Sequence, residues 1–121
     1  MAKTFSFKER IKSFRFATNG LKQMLIKEHN FRIHLFAAIA VIFLGFYYGV
    51  TKNEWLWLVF SIGFVMVTEI INTGIERLVD LISPQFNPKA GLAKDIGAAA
   101  VLLASLTSAI IGLIIFYTYL F

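Results

Sequence analysis

The last 26 residues of the chain, Ile96 to Phe121, contain no charged side chain. At 1.5 Å per residue a helix of that length reaches about 39 Å, more than the roughly 30 Å of a bilayer's hydrocarbon core. A soluble domain of 121 residues could not enclose such a helix on all sides. In lipid, by contrast, a helix satisfies its own backbone polar groups. The run is therefore expected to span a membrane. Composition points the same way: 58% of the chain is hydrophobic and phenylalanine alone occurs 13 times. There is room for one domain only. Cysteine is absent, which excludes a disulfide framework and a thiolate metal site.

Two further spans are expected upstream. Residues 33–50 form an apolar run in which His34 is the one ionisable group, ending in Tyr47 and Tyr48, where an aromatic belt would lie. In the connection that follows, Asn53 could act as an N-cap, or Thr51 and Glu54 as a capping box. The second span, residues 55–82, is 28 residues long. At about 42 Å it should emerge from the bilayer at its far end. The run Ser83-Pro84-Gln85-Phe86-Asn87-Pro88 closes it as a turn. Asn87 as N-cap and Pro88 at the first helical position then open the third span, residues 88–120.

Residues 1–30 read differently. Phe7, Ile11, Phe14, Leu21 and Leu25 recur at helical spacing, with Lys8, Lys12, Arg15 and Lys22 elsewhere on the wheel. This segment is too charged to cross and is expected to lie as an amphipathic helix in the interface. It has no apolar stretch ending in a small-residue cleavage site, so the first hydrophobic run should belong to the mature protein. Residues 1–32 hold eight of the twelve Lys and Arg, Lys3 included, against Glu9 and Glu28. Nucleic acid could take such a block, but its place beside a span favours an anionic lipid surface. Arg77, Lys89 and Lys94 make the second connection basic as well, so the positive-inside rule puts it and the N-terminus in the cytoplasm and the C-terminus outside.

Small residues repeat every four positions at Ala100, Ala104, Ser108 and Gly112, and Gly45 and Gly49 make a GxxxG. Both patterns allow close helix approach, within one chain or between copies. Three short helices enclose little space, which favours a homo-oligomer.

The chemistry lies on the second span. Glu69, Asn72, Glu76 and Asp80 follow one another at steps of three, four and four, forming one polar stripe. An acid within the membrane costs about 2.5–3.5 kcal/mol on insertion scales, so it faces protein or water. In an antiparallel hairpin Lys94 and Asp95 would lie at the depth of Glu76, and Glu28, at the junction between the interfacial helix and the first span, could reach the same level from another side. Carboxylates beside an amide suit Mg²⁺ held with phosphates, one carboxylate could take the proton of an alcohol, and lysine could neutralise phosphate oxygens. No GxxxxGK[ST], GxGxxG or HRD-type loop occurs. Taken alone, the stripe supports this chemistry only weakly: a proton or ion relay is the commoner reading of intramembrane acids, and plain helix–helix hydrogen bonding comes next.

The stretch Glu69-Ile70-Ile71-Asn72-Thr73-Gly74-Ile75-Glu76-Arg77-Leu78-Val79-Asp80, followed by Ala93-Lys94-Asp95-Ile96-Gly97-Ala98-Ala99-Ala100-Val101, closely resembles the bacterial membrane-integral diacylglycerol kinase / undecaprenol kinase family. The likeness extends over nearly the whole chain. It implies an all-α integral membrane homotrimer with sites between subunits, passing the γ-phosphate of ATP, held with Mg²⁺, to a membrane lipid alcohol. By the same resemblance Glu69 is the general base facing the lipid hydroxyl, and Glu28 and Glu76 are the Mg²⁺ ligands that hold ATP. Asn72 supports them, while Lys94 and Asp95 contact the nucleotide. Gln85, Phe86 and Asn87, together with Arg10 and Phe16 on the N-terminal helix, fall in regions that cover it. Phe16 stands where the diacylglycerol branch has tyrosine. Phe31 and Arg32 are implied as lipid-substrate contacts. The stretch Lys27-Glu28-His29-Asn30-Phe31-Arg32-Ile33-His34-Leu35 is similar to the undecaprenol branch, with diacylglycerol as the alternative acceptor.

Overall fold

The computed structural model describes residues 4–121 as four helices: α1 (Phe7–Lys27), α2 (His29–Tyr48), α3 (Lys52–Ile82) and α4 (Pro88–Leu120). Lys3, part of the basic block, lies outside the described residues. Three of the helices, α2, α3 and α4, are long and apolar enough to cross a membrane. α2, with 20 residues, matches a bilayer core of about 30 Å. The 31 residues of α3 and 33 of α4 reach about 46 and 50 Å and exceed it.

Local signals explain the boundaries. Thr51 and Glu54 form the capping box at the start of α3, with the Thr51 hydroxyl accepting from the Glu54 amide at 3.2 Å and the Glu54 carboxylate accepting from the Thr51 amide at 2.9 Å. Of the two alternatives for this turn the box is realised, so α3 begins at Lys52, three residues before the span expected from 55. Asn87 caps α4, its Oδ1 accepting from the Lys89 amide at 2.9 Å, and Pro88 opens the helix. Gly49 does not serve close packing. It adopts φ +62 and ends α2 as a left-handed cap, where a side chain would be strained. Gly45 alone lies in a helix contact, directly beneath the Trp55 ring.

α1 and α2 are separated by a single extended residue, Glu28. No proline or glycine makes this elbow. Arg32 braces it instead: its guanidinium donates to the carbonyls of Leu25 (2.9 Å) and Ile26 (2.7 Å) and meets His29 Nδ1 at 2.7 Å. These are carbonyls that the end of α1 leaves without helical partners. Met24 and Phe31 are buried on either side of the elbow, and apart from half-buried Gln23 the rest of α1 is exposed.

α3 and α4 form the principal antiparallel pair, and α2 packs on α3. Their register is marked by small and polar groups. The Ser108 hydroxyl donates to the Ser61 carbonyl at 3.0 Å, and Gly97 lies against Asn72. Eleven residues separate the two marks on each helix. Along the small-residue stripe, Ala104 is buried and Ala100 exposed, because steps of four drift round a helix of 3.6 residues per turn. A core of Val50, Leu58, Ile115 and Phe116 ties the helices at the end opposite the α3–α4 turn. There the Tyr119 hydroxyl donates to Glu54, joining the last turn of α4 to the first turn of α3. Large apolar side chains such as Phe36 (77% exposed), Phe43 (71%) and Leu113 (71%) cover the outside of the bundle, as a hydrocarbon solvent permits and water does not.

Candidate active site

The polar stripe of α3 turns inward at its centre. Glu69 is 3% exposed, and Asn72 and Thr73 are also buried, whereas Asp80 near the turn is exposed. The Asn72 amide donates to Glu76 Oε1 at 3.2 Å. Asn72 therefore presents its nitrogen to the acidic group and orients it. Its Oδ1 is buried without a hydrogen-bond partner and lies against Gly97, where a Cβ would collide with it. The glycine on α4 leaves room for the amide on α3.

Glu28 reaches this level from the α1–α2 elbow. Its Oε1 accepts from Arg77 Nη2 at 3.3 Å, linking the elbow to α3. The Glu69 carboxylate lies within electrostatic reach of Glu28 and Glu76, which repel it, and of His34, which attracts it. His34 Nε2 stands 3.7 Å from Glu69 Oε2, and that oxygen has no hydrogen-bond partner. Glu69 is thus the buried acid, with His34 beside it, Glu28 and Glu76 near enough to act on its charge, and Arg77 holding Glu28. Such an arrangement can hold a divalent cation on phosphates and offer a buried base to a hydroxyl.

Lys94 forms an ion pair with Asp80. This is one turn nearer the connection than Glu76, where the hairpin register was expected to bring it. Asp80 and Lys94 line a cavity of about 170 Å³ with Ser83, Gln85, Phe86 and Asn87, so the lysine opens onto the turn. Asp95 is exposed. Arg10 and Phe16 lie on the exposed length of α1 and outside this cavity. Phe31 is buried, and Arg32 is engaged by the backbone of α1. Sequence reasoning passed over Arg77 and His34 as site members. Arg77 directly follows an acid of the stripe, which marks it as a candidate counter-charge. Nothing in the spacing pairs His34 with Glu69, because that contact depends on how α2 is rotated against α3.

Among the described residues no three His, Asp or Glu side chains converge as a ready-made metal cluster. Mg²⁺ bound along with phosphates takes only one or two carboxylates and keeps water for the rest. Glu28 and Glu76 fit that pattern. The Arg77 pair that holds Glu28 is half exposed and is worth only about 0–1 kcal/mol, so it can be exchanged for a cation.

Known proteins resemble this chain over most of its length. The family model described as prokaryotic diacylglycerol kinase matches residues 15–116. An undecaprenol kinase of Bacillus subtilis is 41% identical over 105 residues, covering 87% of this chain and 85% of its own. A diacylglycerol kinase of Haemophilus influenzae is 36% identical over 104 residues, covering 86% and 88%. That of Escherichia coli K12 is 31% identical over 116 residues, covering 96% and 95%. The chain, a multi-pass protein of the plasma membrane and a kinase, belongs to the prokaryotic diacylglycerol kinase family.

Proposed function

We propose that the protein phosphorylates undecaprenol with ATP at the cytoplasmic face of the membrane. The observation that carries this acceptor is the 41% identity to an undecaprenol kinase over 87% of the chain, against 36% and 31% to the diacylglycerol kinases. The chain works as a homotrimer whose sites lie between subunits. α2, α3 and α4 cross the bilayer, the α3–α4 turn and the N-terminus face the cytoplasm, and α1 lies in the interface with Phe7, Ile11 and Phe14 toward the acyl chains.

Each residue then has a definite task. The lipid tail stays in the bilayer while its hydroxyl comes to Glu69, whose unpartnered oxygen accepts the proton as the γ-phosphoryl group is attacked in line. Glu28 and Glu76 would hold Mg²⁺, which supplies charge neutralisation on the phosphates when bound. Asn72 keeps Glu76 oriented through its amide. Lys94, near the turn, reaches phosphate oxygens. Asp95, Gln85, Phe86 and Asn87 border the nucleotide, with Arg10 and Phe16 closing over it from α1 and Phe31 and Arg32 flanking the lipid headgroup.

The test is purified protein in bilayer discs given γ-labelled ATP, Mg²⁺ and either undecaprenol or diacylglycerol. Labelled undecaprenyl phosphate should form faster. Faster phosphatidic acid production would move the acceptor to diacylglycerol. Absence of any lipid product, with proton flux across liposomes instead, would replace the kinase by a relay.

A further inference from the structure

A proton taken up by Glu69 has to leave a carboxylate that is 97% buried, and the structure offers one neighbour able to receive it. From the contact between α2 and α3 we infer that His34 is the second member of a proton-transfer pair, accepting from Glu69 the proton that the lipid hydroxyl gives up. This rests on Glu69 being the base.

Three observations support it. First, His34 Nε2 is 3.7 Å from Glu69 Oε2, the carboxylate oxygen that lacks any other partner. A small closure brings the two into hydrogen-bond range, as often happens when a substrate enters. Second, His34 is better placed to release a proton, with 24% of its side chain exposed against 4% for Glu69. Third, His34 lines a cavity of about 230 Å³ that also carries Ser61, Ser105 and Ser108. Most of its wall is apolar, but the Ser61 hydroxyl is buried without a partner, which leaves a polar group beside the imidazole for a water molecule.

The charges around the imidazole do not supply another acceptor. α3 presents Glu69, with Glu76 beyond it, and the elbow presents Glu28; Glu28 and Glu76 are engaged by Arg77 and Asn72. α4 contributes only Ser105, Ser108, Ala109 and Gly112 to the cavity that His34 lines.

The step balances. The alcohol O–H bond breaks as its oxygen bonds to the γ-phosphorus, and the bond from that phosphorus to the bridging oxygen breaks to release ADP. The proton passes to Glu69 Oε2 and then to Nε2 of the neutral imidazole, leaving an imidazolium paired with the restored carboxylate. Loss of that proton to water resets the pair.

The experiment compares wild type with His34→Gln, which keeps the size and hydrogen bonding of the side chain but cannot titrate. In bilayer discs kcat should fall about 10- to 100-fold, with KM for ATP and lipid and the Mg·ATP affinity unchanged. The kcat–pH profile should also change shape, because one of the two groups that exchange the proton is gone. A wild-type profile and kcat in His34→Gln would overturn the inference, as would a loss confined to nucleotide binding. A second measurement does not depend on how that variant folds. The protein has only two histidines, His29 and His34, so ring ¹⁵N spectra can be compared between wild type and Glu69→Gln. His34 signals should change and those of His29 should not; an unchanged His34 removes the contact and the proposal. If Glu69→Gln retains turnover the base assignment itself fails. If it is inactive while His34→Gln is normal, only the proton acceptor is wrong.

Discussion

Replacing Asn72 by alanine separates what the site does for stability from what it does for the nucleotide. Asn72 is 7% exposed and its Nδ2 donates to Glu76 Oε1 at 3.2 Å. A hydrogen bond to a charged group is worth about 1.5–3 kcal/mol, or roughly a 10- to 150-fold change in an equilibrium. Its Oδ1, however, is buried with no partner, which already costs about 1–3 kcal/mol. Asn72→Ala removes both terms together, so the net change in folding stability should be small. With Glu76 as the proposed Mg²⁺ ligand, nucleotide binding gets no such offset: the carboxylate loses its orientation and Mg·ATP should bind about 10- to 100-fold more weakly. Calorimetric titration with a non-hydrolysable ATP analogue and Mg²⁺ in bilayer discs measures the second quantity, and thermal unfolding of the same sample the first. Unchanged Mg·ATP affinity, or a collapse in stability large enough to account for its loss, would refute the reasoning.

Further substitutions test the frame that carries the site. Gly45→Val places a methyl group into the Trp55 ring and should destabilise the α2–α3 contact by about 1–3 kcal/mol; adding Trp55→Leu should recover part of the loss in a thermal scan. At the same end of the bundle, Thr51→Ala removes the cap of α3 at a cost of about 0.5–2 kcal/mol, and Tyr119→Phe, which breaks the bond to Glu54, should lower the unfolding temperature while leaving both KM values unchanged.

Much of this architecture is legible in the sequence, because helices in lipid are specified locally. An uncharged run from Ile96, the Thr51–Glu54 spacing and Asn87-Pro88 are each readable without knowing what packs where. The stripe of Glu69, Asn72 and Glu76 is legible for the same reason, since one helix determines its own faces. What the spacing does not contain is rotation and depth between helices. It could not show that Gly49 ends α2 rather than packing within the GxxxG, because a cap and a contact both call for glycine. Nor could it show that Lys94 pairs with Asp80, that Arg77 reaches Glu28, or that His34 faces Glu69. Each of these depends on the angle at which two helices meet. Glu28 is legible as the junction between the first two helices, but the bracing of that elbow by Arg32, in place of a glycine or proline, is not.

All of the proposed chemistry passes through one buried carboxylate, so the most direct measurement is the turnover of Glu69→Gln beside its Mg·ATP affinity. Glutamine keeps the volume and a hydrogen-bonding oxygen but cannot take up a proton. Lipid phosphorylation should drop by about 10²–10⁴-fold while Mg·ATP binds as in the wild type. Near-normal turnover, or a loss of activity accompanied by an equal loss of nucleotide binding, would contradict the account.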